Sequence, residues 1–182
     1  MNKRLKSIIR IAVMSALISA ISPLSIPIGV VPISLSTFII MISVFILSPV
    51  EALISVSIYI LIGGLGLPVF SNFSGGLSKL IGPTGGYIIG YLFIPLTFII
   101  INKRDNIFFN ILGILIGNIF LYALGTLWLK LSLGITFIEA LMMGVVPFLI
   151  TDTIKIVLAI SIGMVLYKVF NKNNNNELKK GA

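Results

Sequence analysis

The chain of 182 residues contains no cysteine and no histidine, and only five of its residues are acidic. Without cysteine there is neither a disulfide framework nor a thiol nucleophile. Without histidine there are no imidazole metal ligands, no serine–histidine triad and no imidazole proton relay. Five dispersed carboxylates form no convincing catalytic or metal-binding cluster. We therefore expect no enzyme activity, no resident metal and no cofactor.

Charge of either sign is scarce in this chain. Charged residues make up 10% of the sequence and apolar residues 58%, and the mean hydropathy is +1.17. A soluble domain carries roughly a quarter charged residues. The composition therefore predicts an integral membrane protein whose surroundings are the lipid bilayer.

The net charge of +8 is concentrated in three short clusters, at residues 3–10, 103–104 and 168–180. Basic clusters beside apolar runs mark the cytoplasmic side of a membrane, so we do not expect nucleic acid as a partner. Four consecutive asparagines lie in residues 171–182. This composition predicts a disordered cytoplasmic tail after a membrane domain of residues 1–170.

Six apolar runs are candidate membrane spans, since a spanning helix needs about 20 apolar residues and fewer where a bundle shields its ends. They are Ser7–Ile21, Ile33–Leu47, Val50–Ile62, Thr84–Ile101, Ile107–Leu127 and Leu141–Phe170. With both termini in the cytoplasm, the outer connections at residues 22–32, 63–83 and 128–140 carry only Lys79 and Lys130, in agreement with the positive-inside rule. We predict an all-α membrane protein with six transmembrane helices and long capping outer loops.

The segment of residues 63–87 is too rich in glycine to be helical throughout and too apolar to lie freely in water. Irregular backbone at membrane depth occurs where protein buries it or where it lines a cavity. A plain outer loop with turn glycines and a capping loop over a binding site both fit these residues. The connection Ser22–Pro32, which three prolines stiffen, has the same character.

Asp152 and Lys155 are an acid and a base three residues apart in the apolar run of residues 145–169. This spacing places both side chains on one face of a helix. A charge in lipid costs roughly 2.5–3.5 kcal/mol on insertion scales, so we expect both to face the bundle interior. They either neutralise each other as a structural ion pair or bind a ligand, with Lys155 on a carboxylate and Asp152 on N–H donors.

The first helix carries a stripe of small residues, Ala12, Ala16 and Ala20, at four-residue spacing. Such a stripe lets a second helix approach closely, either inside the same bundle or in a partner protein. The sequence contains no phosphate-binding loop or dinucleotide fingerprint. Transport driven by ATP would therefore need an ATPase on another chain.

Several segments together resemble the BioY family, the biotin-specific substrate-binding (S) components of energy-coupling-factor (ECF) transporters. They are GGLGLPVF (residues 63–70), FSGGLSKLIGPTGGYIIGY (residues 73–91), LGTLWL (residues 124–129) and PFLITDTIKI (residues 147–156). The resemblance extends over nearly the whole chain. The GPTGGY motif followed by D-x-x-K on the last helix is specific when both occur in a six-helix protein of this size.

The resemblance implies a membrane-embedded vitamin-capture subunit, without catalytic activity, in a prokaryotic plasma membrane. A transmembrane coupling protein and two ATPase subunits would complete the complex, and the alanine stripe would contact the coupling protein. The implied biotin site lies near the outer face, under the connection Ser22–Pro32 and the glycine-rich segment of residues 63–87. Asp152 and Lys155 would contribute to it, with Asn72 and Tyr87 as further pocket residues.

Biotin offers a carboxylate, a ureido ring with two N–H donors and one acceptor, and an apolar thioether ring. We favour Asp152 on the ureido N–H groups and Lys155 on the carboxylate. If the two ends of the ligand are too far apart for neighbouring helical turns, Lys155 instead holds Asp152 in place. The alternatives are an S component for thiamine or riboflavin, a small intramembrane enzyme, and a structural subunit that recognises partners through the alanine stripe.

Overall fold

The computed structural model describes residues 2–101 and 106–180, which are mostly helical. The described residues form nine α-helices: α1 (Lys3–Ile21), α2 (Ser36–Ile46), α3 (Pro49–Gly64), α4 (Leu77–Ile81), α5 (Gly85–Gly90), α6 (Phe93–Ile101), α7 (Ile107–Leu133), α8 (Phe137–Gly144) and α9 (Phe148–Lys180). Two short strands, β1 (Ser25–Ile26) and β2 (Ile33–Ser34), and a 3₁₀ turn (Ser71–Phe73) lie in the loops.

Local chemistry sets several of the helix ends. The Asn2 side chain caps α1 by accepting a hydrogen bond from the backbone N–H of Arg4. Ser48 caps α3, Glu51 completes a capping box with it, and Pro49 occupies the first turn. Proline suits that position because the first N–H groups of a helix have no intrahelical partner. Proline also disfavours helix in the residue before it, so α2 ends ahead of this point.

A second capping box starts α8, where Thr136 caps the helix and Glu139 completes the box. Hydrogen bonds donated by the backbone N–H and the hydroxyl of Thr136 hold the pKa of the Glu139 carboxyl below its usual value. The carboxylate is therefore ionised at neutral pH, and this cap weakens only as the pH falls through the lowered pKa.

The helices pack as one bundle in which α2 contacts α9, α5 and α6 contact α7, and α1 contacts α3. Helix α2 is highly enclosed, with nine of its 11 residues buried. The approach of α5 to α7 depends on glycine. A Cβ atom at Gly86 would lie 2.3 Å from the Cβ atom of Trp128, and one at Gly90 would lie 3.2 Å from the Cα atom of Leu121. Small residues at such contacts let membrane helices pack closely.

Two of the predicted spans are interrupted by proline. The run Thr84–Ile101 forms two helices, α5 and α6, with the break after Gly90. Pro95 explains this break, since its ring clashes with the carbonyl four residues earlier. The run Leu141–Phe170 is divided in the same way into α8 and α9, and Pro147 lies between them.

Helices α7 and α9 extend well beyond their predicted C-terminal ends. Helix α7 extends beyond the predicted end at Leu127 to Leu133, where Gly134 follows with φ +67°, a conformation that glycine adopts readily. Helix α9 continues to Lys180. Extending a formed helix needs no new nucleation, and neither glycine nor proline interrupts residues 164–180. The division into a membrane domain of residues 1–170 and a disordered tail stays a prediction. Residues 181–182, and the basic residues 103–104, lie outside the described residues.

Two helices in the described part of the chain are long and apolar enough to cross a membrane. They comprise Phe108–Leu133 and Phe148–Tyr167. Three shorter apolar helical stretches accompany them, at Ser36–Ile46, Pro49–Gly64 and Gly85–Ile101, and the last of these comprises α5 and α6. Large apolar side chains are exposed on most of the helices, as suits a bundle in lipid. The count of six spans stays a prediction.

Two loops meet at one end of the bundle. The hairpin loop, residues 22–35, contains β1 and β2, which pair antiparallel with Ser25 opposite Ser34. The glycine-rich loop, residues 65–84, contains the 3₁₀ turn and α4. The backbone N–H of Asn72 in the glycine-rich loop donates to the carbonyl of Pro23 in the hairpin loop at 3.1 Å. The two loops therefore form one connected layer.

Candidate ligand-binding site

Asp152 and Lys155 form a buried ion pair on α9. The Nζ atom of Lys155 lies 2.7 Å from Oδ1 of Asp152, and the two residues are 8% and 5% exposed respectively. The three-residue spacing places them on one face of the helix, as predicted. This face is directed into the bundle, towards α2 and α7.

Further polar groups hold each member of the pair. Besides Asp152, the Lys155 ammonium donates to the carbonyl of Ser34 at 2.8 Å and to the Thr37 hydroxyl at 3.3 Å. The Tyr122 hydroxyl donates to Oδ2 of Asp152. An ammonium has three N–H donors, and all three of those of Lys155 have an acceptor. A carboxylate accepts about four hydrogen bonds, so Asp152 retains room for two more.

Tyr122, Thr37 and Ser34 were not predicted as site residues from the sequence. Tyr122 is a polar-tipped side chain inside a long apolar helix, and that signal could have indicated it. Thr37 carries a weaker signal of the same kind on α2. Ser34 contributes its backbone carbonyl, which no residue type reveals.

The ion pair lies on the wall of a small inner cavity of about 40 Å³. Its lining combines aromatic, aliphatic and polar side chains from the hairpin loop and five helices. These residues are Val31, Pro32, Ser34, Thr37, Tyr87, Tyr91, Leu121, Tyr122, Gly144, Phe148, Asp152 and Lys155.

A larger outer cavity of about 240 Å³ adjoins the inner one beneath the two loops. Its lining is more polar and includes Gly29, Val30, Val31, Pro32, Phe70, Ser71, Asn72, Ser74, Lys79, Thr84, Tyr87, Ile88 and Tyr91. Four residues, Val31, Pro32, Tyr87 and Tyr91, line both cavities. The two spaces therefore share a wall, and together they lead from the loop layer to the ion pair.

The structure brings three of the four predicted ligand residues to the inner cavity and leaves the fourth in the outer one. Tyr87 is 5% exposed and lines both cavities, so it joins the two groups. Its hydroxyl makes no well-formed hydrogen bond within the described residues, although Thr126 lies near it. Asn72 lines the outer cavity and is separate from Asp152 and Lys155.

Asn72 is held in an uncommon backbone conformation. Its φ is +59°, and that of Phe73 is +52°. Asparagine tolerates this left-handed region, whereas a bulky aromatic residue is strained there. Ser25 of the hairpin loop stabilises the conformation, because its hydroxyl donates to Oδ1 of Asn72 and accepts from the Asn72 backbone N–H, both at 2.8 Å. Strain maintained by such specific contacts is typical of ligand clamps.

The end of the glycine-rich loop is fixed to α7 by the only tryptophan of the chain. The Nε1 atom of Trp128 donates to the carbonyl of Gly82 at 3.0 Å. A Cβ atom at Gly85 would lie 1.8 Å from the carbonyl oxygen of Leu80. The GPTGGY motif is therefore a tight corner that positions Tyr87 at the junction of the cavities.

Two other predictions concern metals and partner contacts. Among the described residues, no three His, Cys, Asp or Glu side chains group closely enough to hold a metal ion. Ala12, Ala16 and Ala20 are all exposed, whereas Met14, Ser15 and Ile18 of the same helix are buried. The alanine stripe thus faces away from the helices that α1 contacts in this bundle.

The fold and the site define a small helical membrane protein with a buried ion pair beside an internal cavity. Comparisons with known proteins all indicate one family. The BioY family model matches residues 1–172. "Biotin transporter BioY2" of Lactococcus lactis subsp. cremoris is 32% identical over 95% of this chain and 96% of its own. "Probable biotin transporter BioY" of Pyrococcus horikoshii is 37% identical over 86% of this chain and 93% of its own.

A solved structure gives the same result. The crystal structure of the S-component for biotin from an ECF-type ABC transporter matches with a TM-score of 0.81 and 33% identity, covering 92% of this chain and 95% of that chain. This chain belongs to the BioY family. The membership confirms the resemblance found in the sequence, and it identifies a membrane transport protein instead of an enzyme.

Proposed function

We propose that this chain is the biotin-binding membrane subunit of an ECF-type transporter that mediates biotin uptake. The observation that carries the proposal is the buried Asp152–Lys155 pair on the wall of a cavity, in a chain whose relatives are named biotin transporters. Intramembrane charges that face a cavity usually serve a ligand. Biotin is the ligand whose polar groups this donor and acceptor set suits.

The Asp152 carboxylate accepts hydrogen bonds from the ureido ring of biotin. Its carboxylate can accept about four hydrogen bonds, of which Lys155 and Tyr122 supply two. The two remaining acceptor positions correspond in number to the two ureido N–H donors. A neutral amide at this position would lose both the negative charge and half of this acceptor capacity, so biotin is expected to bind it much less tightly.

Lys155 acts on the ligand through Asp152. Its three N–H groups already have acceptors, so a ligand carboxylate would have to displace one of them. These contacts favour the second of the two roles considered from the sequence, in which Lys155 holds Asp152 in place. Because one of the acceptors is the carbonyl of Ser34, Lys155 also links the site to the hairpin loop.

Binding requires the loop layer to move. The inner cavity of about 40 Å³ is far smaller than a typical ligand pocket of roughly 300–1,000 Å³. Of the two cavities, the outer one holds more free space, directly beneath the hairpin and glycine-rich loops. Biotin enters from that side, and its ring system reaches Asp152 as the tyrosine side chains between the cavities shift. Asn72 and Tyr87 then contact the ligand from the loop side.

The remaining parts of the complex follow from charge and exposure. Six spans with both termini in the cytoplasm of a prokaryotic cell place the basic clusters inside and the loop layer outside. The exposed alanine stripe of α1 contacts the transmembrane coupling protein, which links this subunit to two ATPases. No phosphate-binding loop occurs in the sequence, so ATP hydrolysis belongs to those other chains.

Calorimetry on the purified chain in detergent tests the proposal, with Asp152→Asn beside a matched control, Lys130→Met. Lys130 is exposed and lines neither cavity. Wild type and control should bind biotin tightly, and Asp152→Asn should lose at least tenfold in affinity, equal to about 1.4 kcal/mol. Thiamine and riboflavin should not compete. A folded wild-type chain that does not bind biotin would contradict the proposed function.

A further inference from the structure

The negative charge of the ligand has no partner in the inner cavity. Asp152 and Lys155 neutralise each other at 2.7 Å, and the Lys155 donors are all engaged. The biotin carboxyl is ionised at neutral pH, given a reference pKa of about 4 for such groups. Taking that anion out of water without a counter-charge is unfavourable. A second cationic group is therefore needed where the other end of the ligand lies.

Lys79 is the basic residue in the right place. Among the described residues that line the two cavities, Lys79 and Lys155 are the only basic ones, and Lys79 lines the outer cavity alone. Within the described part of the chain, its side chain has no hydrogen bond or ion pair. Its ammonium is consequently free to bind an anion, unlike that of Lys155.

The backbone around Lys79 is well anchored. The residue lies in α4, where the backbone N–H of Lys79 donates a hydrogen bond to the carbonyl oxygen of Gly76, with an N-to-O distance of 3.1 Å. The bond from Trp128 to the carbonyl of Gly82 fixes the segment that follows α4 to the bundle. The exposed Lys79 side chain therefore extends from an anchored backbone at the wall of the outer cavity.

The surroundings of Lys79 suit a carboxylate. Ser71 and Asn72 line the same cavity, and the Ser71 hydroxyl and the Asn72 side-chain NH2 add donors around an anion. None of the residues that line the outer cavity is acidic, so no carboxylate of the lining competes for the ammonium. The polar outer cavity and the ion pair of the inner cavity thus provide two distinct polar ends, separated by the aromatic and aliphatic wall that they share.

From these observations we infer that Lys79 binds the carboxylate of the ligand in the outer cavity, while the ureido ring lies at Asp152. The inference rests on the proposed function and assigns the two ends of biotin to different cavities. The apolar chain of the ligand passes between them, along Val31, Tyr87 and Tyr91. Lys79 thereby selects for ligands with a free carboxylate and not for the ring system.

The test compares two ligands on three proteins by calorimetry. The proteins are wild type, Lys79→Met and Lys130→Met, and the ligands are biotin and biotin amide, in which a neutral primary amide replaces the carboxylate. Lys130→Met removes the same charge from an exposed position away from both cavities. We expect wild type and Lys130→Met to bind biotin about tenfold more tightly than biotin amide, a difference of about 1.4 kcal/mol. Lys79→Met should bind both ligands equally, at the wild-type affinity for the amide.

Each other outcome has a definite meaning. Biotin affinity in Lys79→Met equal to that in Lys130→Met would refute the role of Lys79 and leave the proposed function intact. Equal losses for both ligands would also refute it, because Lys79 would then act on the shape of the loop and not on the carboxylate. Wild-type protein that binds neither ligand would overturn the proposed function and, with it, this inference.

Discussion

Replacing Lys155 by methionine isolates the structural contribution of the buried pair. The substitution keeps the length of the side chain but leaves the 5%-exposed Asp152 carboxylate without its cation and the Ser34 carbonyl without its Lys155 donor. Removing one member of a buried ion pair destabilises a protein by about 3–5 kcal/mol. For a chain of this length, each 1 kcal/mol lowers Tm by about 2–4 °C. Lys155→Met should therefore lower Tm by about 6–20 °C.

The double variant Asp152→Asn/Lys155→Met separates the effect of an unpaired charge on stability from the effect of Asp152 on biotin binding. It removes both charges, so no unpaired carboxylate remains in the apolar interior, and we expect it to recover at least half of the lost Tm. It should still bind biotin poorly, because the acceptor for the ureido N–H groups is gone. Stability should thus recover in the double variant, whereas biotin affinity should not.

Thermal unfolding in detergent, followed by tryptophan fluorescence, measures the effect. Trp128 is the only tryptophan and contacts both the glycine-rich loop and α5, so its emission reports on the packing near the site. Lys130→Met controls for the loss of one surface lysine and should change the free energy of unfolding by less than about 1 kcal/mol. A Tm for Lys155→Met equal to that of this control would refute the argument, as would a double variant no more stable than Lys155→Met.

Three further predictions concern the surroundings of the site. Tyr122→Phe removes the hydrogen bond to Asp152, an interaction with a charged acceptor worth about 1.5–3 kcal/mol, so calorimetry should show at least tenfold weaker biotin binding; unchanged affinity would exclude a positioning role. Ser25→Ala removes both hydrogen bonds between the Ser25 hydroxyl and Asn72, each worth about 0.5–1.5 kcal/mol net. Stopped-flow measurements should therefore show biotin dissociating roughly 2- to 12-fold faster for each hydrogen bond lost. Ala16→Leu places a large side chain on the exposed alanine stripe and blocks the close approach of another helix. Co-purification with the coupling protein should be lost while biotin affinity stays the same. Intact co-purification would place the partner contact elsewhere.

The membrane class of this protein follows directly from its composition. Absence of cysteine and histidine, scarcity of charge and the clustering of basic residues depend on residue counts and order alone. The same is true of the Asp152–Lys155 face, because spacing along a helix decides which side chains are neighbours. The family resemblance also lies in contiguous motifs, and the family comparison confirms it.

The breaks within two of the predicted spans were not predicted from the sequence pattern. Pro95 and Pro147 were visible in the sequence, yet continuous apolar runs suggested uninterrupted spans across both positions. Proline within a membrane helix is tolerated in some contexts and breaks it in others, depending on which neighbours satisfy the freed backbone groups.

The binding site itself required the packed chain. Lys155 and Ser34 are 121 residues apart in sequence, and the contact between them uses a backbone carbonyl that every residue possesses. No residue pattern indicates such an acceptor. Tyr122 reaches Asp152 only because α7 and α9 place their side chains at the same depth of the bundle. Local spacing thus put the acid and the base on one face of α9. Which atoms satisfy them, and therefore which of their donors and acceptors remain for a ligand, depends on contacts between distant segments.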